Sequence, residues 1–137
     1  MTVIVCISDG GGMTFNKRRQ SRDAEIIRDI EGLASDGAFF ISDFSESLFS
    51  ESEISAIAVS EPLACAKGGD IVFIENSGIA EYKEKISRLV IYRWNRKYPA
   101  DTYLDINPEK EGMSLTASVD FAGKSHEKIT REIWERG

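Results

Sequence analysis

The chain has 137 residues, 42% of them hydrophobic, which suits a single domain that buries roughly two-thirds of the surface its unfolded form would expose. Its formal net charge of −6 opposes the electrostatic attraction that drives non-specific nucleic-acid binding, so nucleic acid is not an expected partner. No apolar run approaches the roughly 18 residues of a membrane helix, and the N-terminus does not match a signal peptide, so the chain is expected to be cytoplasmic and without membrane contact. The two cysteines have no paired spacing, so no metal site is expected.

Two elements are predicted in the first part of the chain. Thr2 to Ser8 is rich in Val and Ile and runs into three glycines, which predicts a strand buried on both faces and then a turn. After the polar loop Asn16 to Asp23, apolar residues recur at helical spacing from Ile26 to Ala34. This pattern predicts a helix whose N-cap is Ser21 or Asp23.

The middle of the chain alternates between short apolar runs and polar turns. Runs of this kind predict strands, and they cover Ala38 to Ile41, Ile54 to Ser60, Asp70 to Glu75 and Leu89 to Tyr92. A brief helical turn around residues 45–49 and a helix from about Ser77 to Ile86 are predicted between them. Alternating strands and helices are typical of a mostly parallel sheet.

The pattern changes after Trp94. Ser114 to Phe121 alternates like a half-buried antiparallel strand, and the β-branched residues of Lys128 to Trp134 favour a second strand. The turn Ala122-Gly123-Lys124 lies between them. The predicted fold is therefore α/β, with a mostly parallel central sheet, flanking helices and an antiparallel C-terminal hairpin.

The densest cluster of positive charge lies in the loop Asn16 to Asp23. Its three arginines are Arg18, Arg19 and Arg22. Guanidinium groups beside a helix N-terminus favour an anion site, although the same residues also suit a solvated loop with Asp23 as the helix cap. His126 is a candidate general acid or base, or a structural hydrogen-bonding residue. With one histidine, the sequence supports neither Ser/His/Asp catalysis nor a histidine-built metal site.

The order of the elements resembles that of dihydrofolate reductase, and four stretches carry the resemblance. These are MTVIVCISDGGGMTFN, DIVFIENSGIAEYKEKI, ISRLVIYRWNRKYPADTYLD and SHEKITREIWERG. Together they span most of the chain, and each is moderately specific. The resemblance implies a dihydrofolate-reductase-like fold in which the helix after Asn76 receives the cofactor pyrophosphate at its start, and the first loop covers the substrate.

The positions that this resemblance assigns to the cofactor are altered. The glycine pair that approaches the pyrophosphate is Glu75-Asn76, and a glutamate is expected to repel phosphate. The Gly-Arg-x-Thr turn is Ser42-Asp43-Phe44-Ser45, and the later Ser-Arg pair is Ser60-Glu61. Each lost arginine removes a charge-assisted contact worth about 1.5–3 kcal/mol. NADPH is therefore a disfavoured cofactor, and no other cofactor is expected.

The substrate side is altered as well. Arg18-Arg19-Gln20 replaces the Leu-Pro-Trp of the family, Asp23 is the candidate for its proton-transferring acid, and Tyr92 replaces the threonine that supports this acid. The family packs this loop against a Ser-His pair, here Ser125-His126. The resemblance thus implies Asp23 and His126 as catalytic residues. The ligand-binding residues it implies are Asn16, Arg18, Arg19, Arg22, Tyr92 and Ser125.

Three functions are compatible with the sequence. The first is a dihydrofolate-reductase-like domain without NADPH-dependent dihydrofolate reductase activity, which binds a small anionic or nucleotide-like ligand in the cleft beside residues 16–23. The second is a divergent NAD(P)H-dependent pterin or pyrimidine reductase. The third is a non-catalytic module that binds an acidic protein or an RNA through its arginines.

Overall fold

A seven-stranded sheet forms the centre of the fold in the computed structural model, which describes residues 1–34 and 37–137. Its strands are β1 (Thr2–Ile7), β4 (Phe39–Ser42), β5 (Ala56–Val59), β6 (Ile71–Phe73), β7 (Arg88–Arg93), β9 (Met113–Phe121) and β10 (Ile129–Arg136). They lie in the order β5-β4-β6-β1-β7-β10-β9. The first five are parallel, and β10 runs antiparallel to both β7 and β9. The predicted mostly parallel sheet with an antiparallel C-terminal hairpin is confirmed.

The helices are short. They are α1 (Ala24–Leu33), α2 (Pro62–Cys65) and two 3-10 helices, Asp43–Phe49 and Ala80–Lys85. Of the two predicted N-caps for α1, Asp23 is the one used, because its carboxylate accepts the N–H of Glu25 at 3.0 Å. The helix predicted from about Ser77 to Ile86 is shorter than expected, since non-helical backbone angles at Tyr82 interrupt it.

A second, smaller sheet was not predicted from the sequence. It contains β2 (Gly12–Phe15), β3 (Arg18–Arg19) and β8 (Thr102–Tyr103), in the order β3-β2-β8. Asn16 and Lys17 have positive φ angles of 52° and 61° and form the two-residue turn that joins β2 to β3. The loop Asn16 to Asp23 is therefore partly a hairpin, and this hairpin carries Arg19 to the edge of the large sheet.

Apolar side chains pack on both faces of the large sheet. One layer lies beneath α1 and the first 3-10 helix, and the other lies beneath α2, β2 and the second 3-10 helix. Val3, Ile4 and Val5 of β1 are fully buried, as predicted for a strand covered on both faces. Among the described residues, no helix has the length and apolar character needed to span a membrane.

Candidate functional site

The carboxyl ends of the parallel strands meet the β2–β3 hairpin and the start of α1 at one edge of the large sheet. In parallel α/β sheets this is the edge at which ligands bind. Ser8 follows β1, Ser42 ends β4, and Glu75 lies two residues beyond β6. The topology therefore brings the altered cofactor positions to the same edge as the loop Asn16 to Asp23, which we call the arginine loop.

Arg19 and Glu75 form an ion pair in this cleft. Arg19 donates through Nε to Oε1 of Glu75 at 2.7 Å and through Nη2 to Oε2 at 2.6 Å. Ser45 Oγ donates to the same Oε2 at 2.6 Å, and the Arg19 guanidinium lies over the ring of Phe44 at 5.5 Å. The side chains are 20% and 6% exposed for Arg19 and Glu75. The glutamate expected to repel phosphate is thus paired with a cation inside the fold.

Further contacts connect the cofactor positions to the rest of the chain. Ser42 Oγ donates to Asn76 Oδ1 at 3.4 Å. The carboxylate of Asp105 accepts the N–H groups of Ile79 at 2.7 Å and Ala80 at 3.0 Å. These amides lie at the start of the second 3-10 helix, where the resemblance places the pyrophosphate. Gly78 permits this contact, because a Cβ there would collide with the Asp105 carboxylate.

The remaining cofactor positions lie at the surface. Asp43, Ser60 and Glu61 are all exposed. None of them contributes a positive charge to the edge of the sheet, since two are acids and one is a neutral hydroxyl. The arginine contacts that the resemblance would require are therefore missing from these positions.

Asp23 and His126, the two residues predicted to be catalytic, are in contact. Oδ2 of Asp23 lies 2.9 Å from Nδ1 of His126, and the residues are only 5% and 3% exposed. Asp23 also accepts the backbone N–H groups of Lys124, Ser125 and Glu25, each at 3.0 Å. The aspartate thus caps α1 and binds the turn before β10 at the same time.

The surroundings of Asp23 determine its charge. Burial alone would raise the pKa of this carboxyl, but hydrogen bonds from the Lys124 amide, the His126 ring and the Ser125 and Glu25 amides outweigh burial. The pKa of Asp23 therefore lies well below its ordinary value. The residue is a carboxylate at neutral pH.

The second ring nitrogen of His126 contacts two hydroxyl groups. Nε2 lies 3.1 Å from Ser21 Oγ and 3.0 Å from the hydroxyl of Tyr98. The ring of Trp94 stacks on the imidazole at 4.6 Å between centroids, with 30° between the planes. Ser21, His126 and Asp23 therefore form a Ser/His/Asp arrangement, which the sequence, with its one histidine, did not predict.

Sequence reasoning missed Ser21 as a candidate site residue. Ser21 and Asp23 are two residues apart on one loop, and together they hold both nitrogens of a ring more than 100 positions later. The available signal was the pairing of this loop with Ser125-His126, which the resemblance implied. That signal locates the histidine near the loop but does not reveal which side chains reach it.

The three arginines of the loop do not converge. Arg18 is exposed on β3, Arg22 is exposed before α1, and Arg19 is bound to Glu75. Within residues 1–34 and 37–137, no hydrogen bond or ion pair joins any of these arginines to His126. An anion site formed by all three together is therefore not present in this arrangement.

Three other predicted ligand-binding residues have contacts of their own. Asn16 is exposed in the hairpin turn, and its N–H donates to Asp101 Oδ2 at 3.0 Å. Ser125 is exposed, but its Oγ lies within 3.3 Å of Asp23 Oδ2 and 3.2 Å of His126 Nδ1, so it covers the outer side of the Asp23–His126 pair. Tyr92 is fully buried, and its hydroxyl donates to Asp29 at 2.6 Å. Burial, followed by the bond to Asp29, raises the pKa of Tyr92.

Two hollows border the loop. An inner cavity of about 20 Å³ lies between β1, α1 and the hairpin, and its apolar lining includes Met13, Ile26, Phe73 and Trp94. An outer groove of about 280 Å³ lies between α1 and the first 3-10 helix. Arg22 borders both hollows. The inner cavity has room for about one water molecule, whereas the outer groove admits a small ligand.

No family model and no curated protein sequence matches this chain. Among solved structures, the chain is similar to "Dihydrofolate reductase from Enterococcus faecalis complexed with NADP(H) and RAB-propyl", with a TM-score of 0.67. The match covers 99% of this chain and 95% of that one. The chain has a dihydrofolate-reductase-like fold. At 10% sequence identity, the likeness establishes the fold alone.

Proposed function

We propose that this dihydrofolate-reductase-like domain is not an NADPH-dependent dihydrofolate reductase and binds a small anionic or nucleotide-like ligand beside residues 16–23. The observation that carries the proposal is the Arg19–Glu75–Ser45 cluster. It joins the arginine loop to both turns that would otherwise contact the cofactor. The side chains of Arg19, Glu75 and Ser45 are thereby bound to one another and not to a cofactor.

The pyrophosphate of NADPH would need free amide donors and cations at the sheet edge. The amides of Ile79 and Ala80 are bonded to Asp105, and the guanidinium of Arg19 is bonded to Glu75. A bound pyrophosphate would have to displace these carboxylates, and each lost charge-assisted bond costs about 1.5–3 kcal/mol. These contacts support the absence of cofactor binding.

The outer groove supplies the features that a small anionic ligand requires. Arg22 and Arg28 border it, and Ile27 and Leu48 give it an apolar surface for a planar ring. Within the part of the chain that the structure describes, Arg28 pairs with Glu25 alone, at 3.4 Å, and its side chain is largely exposed. An exposed pair of this kind is worth at most about 1 kcal/mol, so Arg28 is readily available to a ligand.

The size of the groove limits the ligand. Its volume of about 280 Å³ is just below the roughly 300 Å³ at which sites for drug-sized molecules begin. A mononucleotide or a similar small phosphate ester matches this volume and the two arginines. Glu31 and Glu51 lie on the same rim and would repel a second anionic group. The groove therefore favours ligands that carry a single anionic group.

Calorimetric titration with NADPH, with a series of mononucleotides and with inorganic phosphate tests both parts of the proposal. We expect saturable binding of a mononucleotide and none of NADPH. An Arg22→Ala/Arg28→Ala variant should lose roughly tenfold or more in affinity for each charged contact removed. Arg18→Ala is the matched control, because Arg18 is exposed on the hairpin and does not border the groove.

Two results would contradict the proposal. Saturable NADPH binding at micromolar concentration would show that the cofactor positions still function. If neither the mononucleotides nor phosphate bind, or if they bind equally well to the double variant, the groove is not the ligand site.

A further inference from the structure

Ser21, His126 and Asp23 form a continuous hydrogen-bonded line. Ser21 Oγ is 3.1 Å from Nε2 of the imidazole, and Nδ1 on the other side is 2.9 Å from Asp23 Oδ2. This is the order of hydroxyl, base and orienting carboxylate that defines a nucleophilic triad, which is recognised by geometry and not by position in the sequence.

The contacts of Asp23 determine the tautomer of His126. The carboxylate accepts three backbone N–H groups and is ionised, so it acts only as an acceptor. Nδ1 of His126 must therefore carry the proton and donate it to Asp23. In the neutral ring Nε2 then has the free lone pair, which accepts a proton from Ser21 or from Tyr98. A general base needs this tautomer.

The base is held rigidly, while the nucleophile is more accessible. His126 is buried, with Trp94 stacked on its ring and the ring of Tyr98 at 6.4 Å in an edge arrangement. Ser21 is only half-buried and borders the inner cavity together with Gln20 and Arg22. The arrangement is pre-organised at the buried end and approachable at the serine.

We infer that Ser21 is a nucleophile activated by His126 and Asp23, and that the chain hydrolyses carboxylic esters or thioesters with a short acyl group. The reaction needs no ligand in the outer groove, although Arg22 borders both hollows. It assigns the chain a reaction class, acyl transfer to water, that needs neither a metal nor a redox cofactor.

The first half of the reaction forms an acyl-enzyme. Ser21 Oγ attacks the carbonyl carbon while its proton passes to Nε2 of His126, and Asp23 stabilises the resulting imidazolium. The tetrahedral intermediate collapses by breaking the bond to the alcohol or thiol, which leaves with the proton from Nε2. The acyl group is then an ester of Ser21.

Water completes the reaction. It attacks the acyl carbon, its proton passes to Nε2, and Ser21 Oγ leaves and takes that proton back, so the net products are a carboxylic acid and an alcohol or thiol. Among the described residues, Oε1 of Gln20 is buried without a hydrogen-bond partner, and Gln20 borders the same cavity. It is the acceptor available to orient this water.

The inner cavity sets the substrate class. Its volume of about 20 Å³ accepts little more than one water molecule, which restricts the acyl group to the size of formyl or acetyl. The lining is mainly apolar, and Glu75 also borders it, so an uncharged acyl group is favoured over an acid. Arg22 borders the cavity as well and supplies a positive charge for the developing oxyanion.

Covalent labelling tests the inference on the full chain. The protein is incubated with a small sulfonyl fluoride, a small fluorophosphonate and p-nitrophenyl acetate, and the adducts are followed by intact mass and mapped by peptide mass spectrometry. We expect one adduct, on Ser21. Ser21→Ala should abolish it, and His126→Gln should slow it by roughly 10²–10⁴-fold, the usual contribution of a general base. Ser118→Ala, which removes an exposed hydroxyl on β9, should label like the wild type.

Tyr98→Phe separates a catalytic role from a structural one. It removes the second hydroxyl at Nε2, so it should leave the lone pair to Ser21 and raise the labelling rate, whereas a purely structural cluster would change only in stability. Because the adduct is mapped on the wild-type chain, the test holds even if a variant unfolds. The inference is overturned if none of the three reagents modifies Ser21 in the wild type, or if the adduct maps to another residue.

Discussion

Replacing Arg19 by alanine tests directly whether the Arg19–Glu75 ion pair holds the β2–β3 hairpin against the large sheet. The change removes two hydrogen bonds of 2.7 and 2.6 Å from a glutamate whose side chain is 6% exposed. Among the described residues, Ser45 is then the side chain that still donates to Glu75. Breaking a buried ion pair on one side costs about 3–5 kcal/mol. Because the Arg19 side chain is 20% exposed, water will reach part of the vacated space. We therefore expect a loss near the lower limit, about 3 kcal/mol.

Urea unfolding followed by tryptophan fluorescence measures this loss, because Trp94 is buried against the same cavity. Arg18→Ala is the matched control, because Arg18 is the neighbour of Arg19 in the sequence and its side chain is exposed. This variant should change the free energy of unfolding by no more than about 0.5 kcal/mol. Replacing both partners, as Arg19→Met with Glu75→Leu, should cost less than Arg19→Ala alone, because no buried charge is left unpaired.

A small loss would refute this reasoning. If Arg19→Ala costs less than about 1 kcal/mol, the value of an exposed pair, the ion pair is solvated and does not hold the hairpin against the sheet. The turns at residues 42–45 and 75–76 would then be open to a ligand, and the Arg19–Glu75 contact would not exclude NADPH.

Three further predictions concern other contacts of the fold. Gly78→Ala should destabilise the protein by about 1–3 kcal/mol in urea unfolding, because its Cβ would collide with Asp105, whereas Gly10→Ala has open space and should be nearly neutral. Tyr92→Phe should cost roughly 1.5–3 kcal/mol, because it removes a buried hydroxyl that donates to a carboxylate; a loss below 0.5 kcal/mol, roughly the scatter of surface changes, would contradict this. Since folding lowers the pKa of Asp23, its stabilisation is present above the unfolded value of about 3.9 and is lost as pH falls towards the folded value. Unfolding measured between neutral and acidic pH should therefore show a steeper loss below about pH 4 for the wild type than for Asp23→Asn.

Local patterns in the sequence determined the large elements of the fold. The apolar run of β1 predicted burial on both faces, and Val3 to Val5 are fully buried. The helical spacing after residue 23 predicted α1, and the short polar residues Ser21 and Asp23 were its two predicted caps, of which Asp23 is the one used. These features depend on neighbouring residues, because apolar periodicity and capping act over one or two turns.

Only the tertiary structure decided the composition of the candidate site. Glu75 follows β6, but its partner Arg19 lies 56 positions earlier, on a two-residue strand too short to show any periodicity. His126 meets Ser21 across 105 positions. Charge and residue type identified the loop as a candidate surface, yet they did not show that Arg19 would bind Glu75 and not a ligand. Such pairs depend on which strand ends and loops the sheet topology brings together. Local sequence does not encode that arrangement.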